Sequence, residues 1–161
     1  MNRRTTLTLI STGLLFLAAN IGLAQTNPQI GTWKLNIAKS KIAGPPPRSL
    51  ILTFSGEGDT LTNTAESIDA QGQASKTLFM HIYDGKPHPT PTTGAAAALY
   101  DTSTYTRMNI NTINFVRTKD GKTVQTGSIV VSSDGKTYTV TTEGVGLNGQ
   151  QSNEVLVFDR Q

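Results

Sequence analysis

From residue 49 onward, apolar or β-branched positions alternate with polar ones, and short glycine-containing turns interrupt the alternation at regular intervals. Runs of this kind, about six to eleven residues long, predict β-strands because a strand points successive side chains to opposite faces. Helical periodicity is confined to Ile37–Ile42, which is long enough for one or two turns. The predicted strands are 32–36, 49–55, 59–68, 73–83, 98–107, 110–118, 122–132, 136–144 and 151–159.

The turns between the predicted strands contain Asp-Gly or Asn-Gly pairs, such as Asp120-Gly121, Asp134-Gly135 and Asn148-Gly149. These pairs tolerate the positive φ angles of tight hairpins, and hairpins join neighbouring strands antiparallel. The chain is therefore predicted to be an up-and-down meander. The one long connector, Asp84–Ala97, is rich in proline and predicts a loop with room for a short strand.

A meander leaves two exposed edges, and we expect neither terminal strand to have the prolines or bulges that protect an edge. Closure into an antiparallel up-and-down β-barrel of about eight to ten strands removes both edges. A barrel of that size is filled by its own side chains or holds one small ligand. A two-sheet sandwich is the alternative, but it needs long crossing connections that this chain mostly lacks.

Residues 1–24 have the features of an export signal peptide. A short basic start precedes the uncharged apolar run Leu7–Ala19, and Gly22-Leu23-Ala24 provides small residues where a signal peptidase cleaves. The apolar run is shorter than the roughly 20 residues of a membrane-spanning helix, so no transmembrane segment is predicted. We therefore expect residues 25–161 to form one domain that is periplasmic or extracellular.

The charge of the chain argues against nucleic acid as a partner. The formal net charge is +3, from 14 basic and 11 acidic residues, but Arg3 and Arg4 lie in the predicted signal peptide. All acidic residues follow that peptide, so the remaining chain has a net charge of only +1. No basic face is available for nucleic acid or an anionic membrane. The chain also has no cysteine, so it can form no disulfide.

The first predicted strand contains Gly31-Thr32-Trp33. A strand with this motif, followed by a β-meander of this length, resembles the calycin superfamily. That superfamily comprises lipocalins and fatty-acid-binding proteins. The stretches GTWKLNIAKSK, YDGKPHP, SSDGKTYTVT and VFDRQ are similar to secreted bacterial lipocalin-like proteins. The resemblance covers most of residues 30–161. It implies a barrel whose narrow end is closed by Trp33, with Arg160 laid over the indole as a cation–π pair. Alternatively, Trp33 is an ordinary core aromatic and Arg160 a solvated terminal residue.

The final strand departs from the fatty-acid-binding pattern. Those proteins typically hold the ligand carboxylate with an arginine and a tyrosine two positions apart on the last strand, where this chain has Leu156 and Phe158. Neither side chain binds a carboxylate. A fatty acid held in that way is therefore disfavoured.

Several side chains are candidates for lining a cavity. Alternation places Phe79, His81 and Tyr83 on one face of their strand, but the opposite face is also bulky, so the pattern does not decide which face points inward. Arg107 is the expected anchor for an anionic ligand, unless it points to solvent at a strand end. The candidate ligand-binding residues are Phe79, His81, Tyr83, Tyr105, Arg107, Phe115 and Tyr138.

The sequence shows no catalytic machinery. It has no cysteine, no Gly-x-Ser-x-Gly motif and no convergent Ser, His and acid set, so no catalytic residue is predicted. His81 and His88 lack a nearby carboxylate cluster, so no metal site or cofactor is predicted; His88 is expected at the barrel rim. We predict a non-enzymatic binder of a small apolar or amphipathic molecule. The alternatives are a solid barrel that acts through its loops, and a cavity enzyme or haem binder that uses His81.

Overall fold

The computed structural model describes residues 27–90, 99–145 and 150–161, so the predicted signal peptide lies outside the described residues. The chain forms one antiparallel sheet, and a 3-10 helix, Ile37–Lys39, follows the first strand. No helix in these ranges is long and apolar enough to cross a membrane. The strands are β1 (Gly31–Leu35), β2 (Ser49–Glu57), β3 (Thr60–Ile68), β4 (Ala74–Ile82), β5 (Asp84–Pro89), β6 (Thr102–Arg107), β7 (Thr112–Lys119), β8 (Lys122–Val131), β9 (Thr137–Val145) and β10 (Gln151–Arg160).

The sheet curls into a nearly closed barrel. Its strand order is β4-β3-β2-β1-β10-β9-β8-β7-β6-β5, so the first and last strands of the chain are neighbours. Trp33 on β1 lies opposite Arg160 on β10, and this pairing joins the ends of the meander. The successive strands β4 and β5 are not paired and form a seam. The predicted up-and-down antiparallel barrel is therefore confirmed.

The two edge strands of the sheet are β4 and β5, which lie in the middle of the sequence and not at its termini. Strand β5 occupies part of the connector that was predicted to be mainly a loop, and it contains Pro87, Pro89 and a register shift. Proline cannot donate to a strand ladder, and a bulge bends an edge away from pairing. The terminal strands were expected to be unprotected edges, but they pair with each other, and the edges are β4 and β5. His88 consequently lies on an edge strand.

One end of the barrel, here called the closed end, is tightly packed. It includes residues 27–31 and the turns β2–β3, β6–β7 and β8–β9. The most buried apolar side chains in this half are at most 2% exposed, and burial of apolar surface contributes about 25 cal/mol per Å². This core stabilises a chain that has no disulfide. Its most buried members are Trp33, Phe54, Leu61, Ile113, Phe115, Ile129, Val131, Tyr138 and Phe158.

The segment 27–30 seals the closed end. The indole Nε1 of Trp33 donates a hydrogen bond to the carbonyl of Gln29 at 2.8 Å, and the hydroxyl of Tyr83 donates to the Gln29 side chain. Gln29 is only 1% exposed. The sequence prediction missed this seal because four residues without periodicity give no pattern to interpret.

Arg160 lies over Trp33, as the family resemblance implies. Its Cζ is 4.1 Å from the centre of the indole, and its guanidinium donates to the carbonyls of Pro28 at 2.7 Å and Ile30 at 3.0 Å. Gly31 permits this approach because it has a φ of +130° and an added Cβ would lie 2.6 Å from Arg160 Nη1. Arg160 thus ties the N-terminal segment to the last strand.

Candidate functional site

In the half of the barrel away from the closed end, several inward-facing apolar side chains are partly exposed. Strand register places Leu50 and Ala65 on the same inward face as the buried Leu52, yet both are partly exposed. These side chains are not fully covered by the rest of the described chain. We call this half of the barrel the chamber; its partly exposed apolar side chains are Ile42, Leu50, Ala65, Phe79, Val140 and Leu156.

A group of polar side chains faces the interior from strands β3 to β8. We call this group, which consists of Asn63, His81, Tyr105, Arg117 and Gln125, the polar cluster. Tyr105 links its members, because its ring centre is 4.5 Å from that of His81 and its hydroxyl accepts a hydrogen bond from Arg117. Asn63 Oδ1, His81 Nδ1 and Arg117 Nε are buried without a hydrogen-bond partner. The cluster therefore has unused hydrogen-bonding capacity inside the barrel.

Arg117 is a partly buried cation held between aromatic rings. Its Cζ is 4.6 Å from the ring centre of Tyr100 and 4.5 Å from that of Phe115. Its Nη1 donates to Gln125 Oε1 at 2.9 Å. Burial lowers the pKa of Arg117, but the neighbouring hydroxyls of Tyr100 and Tyr105 outweigh this effect and raise the pKa overall. The guanidinium therefore stays charged.

His81 is buried and neutral. Its ring centre lies 4.5 Å from that of Tyr105, 5.5 Å from that of Phe54 and 6.3 Å from that of Tyr83. Burial, with a smaller contribution from the charge of Arg117, lowers the pKa of His81 from 6.5 to about 3.

The lowered pKa of His81 predicts a pH-dependent stability. The unfolded chain takes up a proton at this position near pH 6.5, whereas the folded chain does so only near pH 3. Stability is therefore constant above pH 7 and falls between pH 6.5 and pH 3, by about 1.4 kcal/mol per pH unit. Urea denaturation should give a free energy of unfolding about 2 kcal/mol lower at pH 5 than at pH 7.5.

The second histidine provides the control for this prediction. His88 is partly exposed and contacts Asp84 at 2.9 Å, so a His88→Gln variant should keep the pH dependence. A His81→Phe variant should lose it. A wild-type stability that does not change between pH 7.5 and pH 5 would contradict a buried, neutral His81.

Arg107, which was the expected anchor, lies at the closed end of the barrel and not in the chamber. Its Nη2 is 3.3 Å from Asp59 Oδ1, and its Cζ lies 4.7 Å from the ring centre of Tyr83 at the closed end. Arg117 is a second partly buried cation beside a tyrosine, Tyr100. The sequence does contain a signal for Arg117, since alternation from Phe115 places it on the inward face.

Of the other predicted ligand-binding residues, some lie in the chamber or the polar cluster and others lie in the packed core. Phe79 lines the chamber, and His81 and Tyr105 belong to the polar cluster. Tyr138 instead packs in the closed end, with its ring centre 5.5 Å from that of Trp33. The predicted residues that the structure places in the packed core, and not on the chamber wall, are Tyr83, Phe115 and Tyr138.

Metal binding has no geometric support in the described ranges. No group of three His, Asp or Glu side chains there could hold a metal ion. His88 is 33% exposed on the edge strand β5, where its one acidic contact is Asp84. Hydrogen bonds, first from the backbone of Lys86 and then from His88, lower the pKa of Asp84. This pair is a local contact on the surface of β5.

Comparison with solved structures identifies the architecture. Zebrafish ileal bile acid-binding protein complexed with cholic acid is similar at a TM-score of 0.52 and 13% sequence identity, over 83% of this chain and 99% of that one. Lobster apocrustacyanin A1 gives a TM-score of 0.44 and 11% identity, over 84% of this chain and 62% of that one. No protein-family model matches the chain. No curated protein sequence matches it either. The first likeness and the nearly closed ten-stranded antiparallel barrel show that this chain has the calycin fold.

Proposed function

We propose that the protein is an exported, non-enzymatic binder of one small amphipathic molecule, which enters the chamber. The observation that carries this proposal is the partial exposure of inward-facing apolar side chains, among them Leu50, Ala65 and Leu156. Covering such surface is favourable by about 25 cal/mol per Å². A ligand with an apolar body would supply that cover, whereas a solid barrel would have covered these side chains itself.

The polar cluster supports an amphipathic ligand over a purely apolar one. A buried polar atom without a partner costs about 1–3 kcal/mol. Asn63 Oδ1, His81 Nδ1 and Arg117 Nε are three such atoms, and all belong to inward-facing side chains. A ligand with polar groups at one end could satisfy them while its apolar body contacts the chamber wall.

Two further considerations support the proposal. One solved structure that shares the fold is a bile acid-binding protein in complex with cholic acid, an amphipathic molecule; this is a fold-level analogy. Export is supported by the signal-peptide pattern of residues 1–24. N-terminal sequencing of the protein from its native source should begin at residue 25, and recovery of the chain with Met1 intact would contradict export by cleavage.

The binding proposal can be tested with N-phenyl-1-naphthylamine, a neutral probe that fluoresces in apolar surroundings. We expect saturable binding of one molecule per chain. An Ala65→Phe substitution would fill the chamber and weaken binding at least about tenfold, or about 1.4 kcal/mol. Thr53→Phe is the matched control, because Thr53 is exposed on the outward face of the neighbouring strand β2.

Circular dichroism would establish that both variants are folded. Equal binding by wild type and Ala65→Phe would place the probe outside the chamber. The absence of saturable binding by the folded wild type would favour the solid-barrel alternative, in which the protein acts through its loops.

A further inference from the structure

We infer that the ligand of the chamber carries an anionic group that pairs with Arg117. This inference rests on the proposed function and specifies the chemical class of the ligand. A monoanionic amphipath, with a carboxylate or sulfonate at one end, fits the observations that follow.

The first observation is that the charge of Arg117 is not neutralised within the chain. All 11 acidic residues lie in the described part of the sequence, and the ion pairs found there do not include Arg117. The rings of Tyr100 and Phe115 stabilise the guanidinium through cation–π contacts but have no net charge. The guanidinium is partly buried and has no counter-ion, and its Nε is buried without a partner, so the site favours an incoming anion.

The second observation is that the guanidinium is held in place before any ligand binds. Gln125 accepts a hydrogen bond from Arg117 Nη1 at 2.9 Å, and its own amide donates to the carbonyl of Val145. The rings on either side restrict the guanidinium plane further. Nε remains buried without a partner. A planar guanidinium that is fixed in this way can present parallel N–H groups to a carboxylate or sulfonate.

The third observation is that Arg107 and Arg160 have partners at the closed end, although Arg107 Nε and Nη2 are buried without a hydrogen-bond partner. Arg107 is paired with Asp59, and Arg160 donates to the backbone carbonyls of Pro28 and Ile30. Both contacts are at the closed end, away from the chamber. Arg117 lies away from the closed end and forms no ion pair with the acidic residues, so we assign the anionic ligand to Arg117.

The test compares two probes that share one aromatic body. 1-Anilinonaphthalene-8-sulfonate carries a sulfonate, whereas N-phenyl-1-naphthylamine is neutral. We expect Arg117→Met to weaken binding of the sulfonate probe at least about tenfold and to change binding of the neutral probe less than about twofold. The matched control is Arg107→Met, which should leave both affinities within about twofold of wild type.

A second measurement needs no variant and applies even if Arg117→Met does not fold. Dodecanoate and dodecanol should compete with the neutral probe on the wild-type protein, and we expect the carboxylate to be at least about tenfold more effective. Equal competition by the alcohol, or an Arg117→Met variant that binds the sulfonate probe as wild type does, would overturn the inference. Binding of the neutral probe would leave the proposed function intact in both cases. Failure of every probe to bind the wild type would overturn both proposals.

Discussion

A Trp33→Ala variant is expected to unfold with a free energy about 3–5 kcal/mol below that of wild type. The indole is completely buried, packs against Tyr138 with ring centres 5.5 Å apart, and lies under Arg160. Its removal would leave a cavity at the closed end and an unsatisfied carbonyl on Gln29. Domains are typically stable by only about 5–15 kcal/mol, so this substitution would remove a large share of the total.

Urea denaturation monitored by far-ultraviolet circular dichroism would measure the loss, since the variant has no tryptophan fluorescence. Lys34→Ala is the control, because Lys34 is the next residue on β1 and is exposed; it should change stability by less than about 0.5 kcal/mol. A loss below about 1 kcal/mol for Trp33→Ala would mean that the indole does not seal the barrel.

The second large effect is expected from a Gly127→Ala variant, with a loss of about 3 kcal/mol. Gly127 faces inward on β8, between Phe115 on β7 and Thr142 on β9. An added Cβ would lie 2.5 Å from Cζ of Phe115 and would collide with the backbone carbonyl of Thr141. Both the ring and the strand β9 would therefore have to move.

The double variant Gly127→Ala with Phe115→Leu separates the collision with the Phe115 ring from the collision with the Thr141 carbonyl. It should be more stable than the sum of the single effects predicts, because leucine withdraws from the new methyl group while the backbone collision remains. Thermal unfolding would measure all three variants, with the exposed Thr126→Ala as the control. A neutral Gly127→Ala variant would contradict the placement of the Phe115 ring over β8.

Much of the fold could be predicted because its determinants are local. Alternation identified nearly every strand, and the Asp-Gly turns at 120–121 and 134–135 identified the hairpins. The seam could not be predicted in this way. Whether the termini pair with each other depends on the curvature of the whole sheet, and β5 carries Pro87 and Pro89, which weaken a strand signal.

The candidate site was harder to predict because alternation gives two faces without deciding which one is inside. His81 and Tyr105 were candidates for lining the cavity, and both are buried in the barrel. Arg117 was not among the candidates, and Arg107 was the expected anchor. Arg107 is neutralised by Asp59, which lies in a hairpin turn far away in the sequence. Such a pairing follows from the three-dimensional fold and has no sequence pattern.

The central claim is that one half of the barrel is packed and the other half receives a ligand. Methyl-resolved NMR spectra, recorded with and without N-phenyl-1-naphthylamine, test this claim most directly. We predict intermolecular contacts to the methyl groups of Leu50, Val140 and Leu156 in the chamber, and unchanged shifts for Ile113 and Ile129 in the closed end. Contacts confined to the outer surface, where Leu78 and Met80 are exposed, would contradict the account.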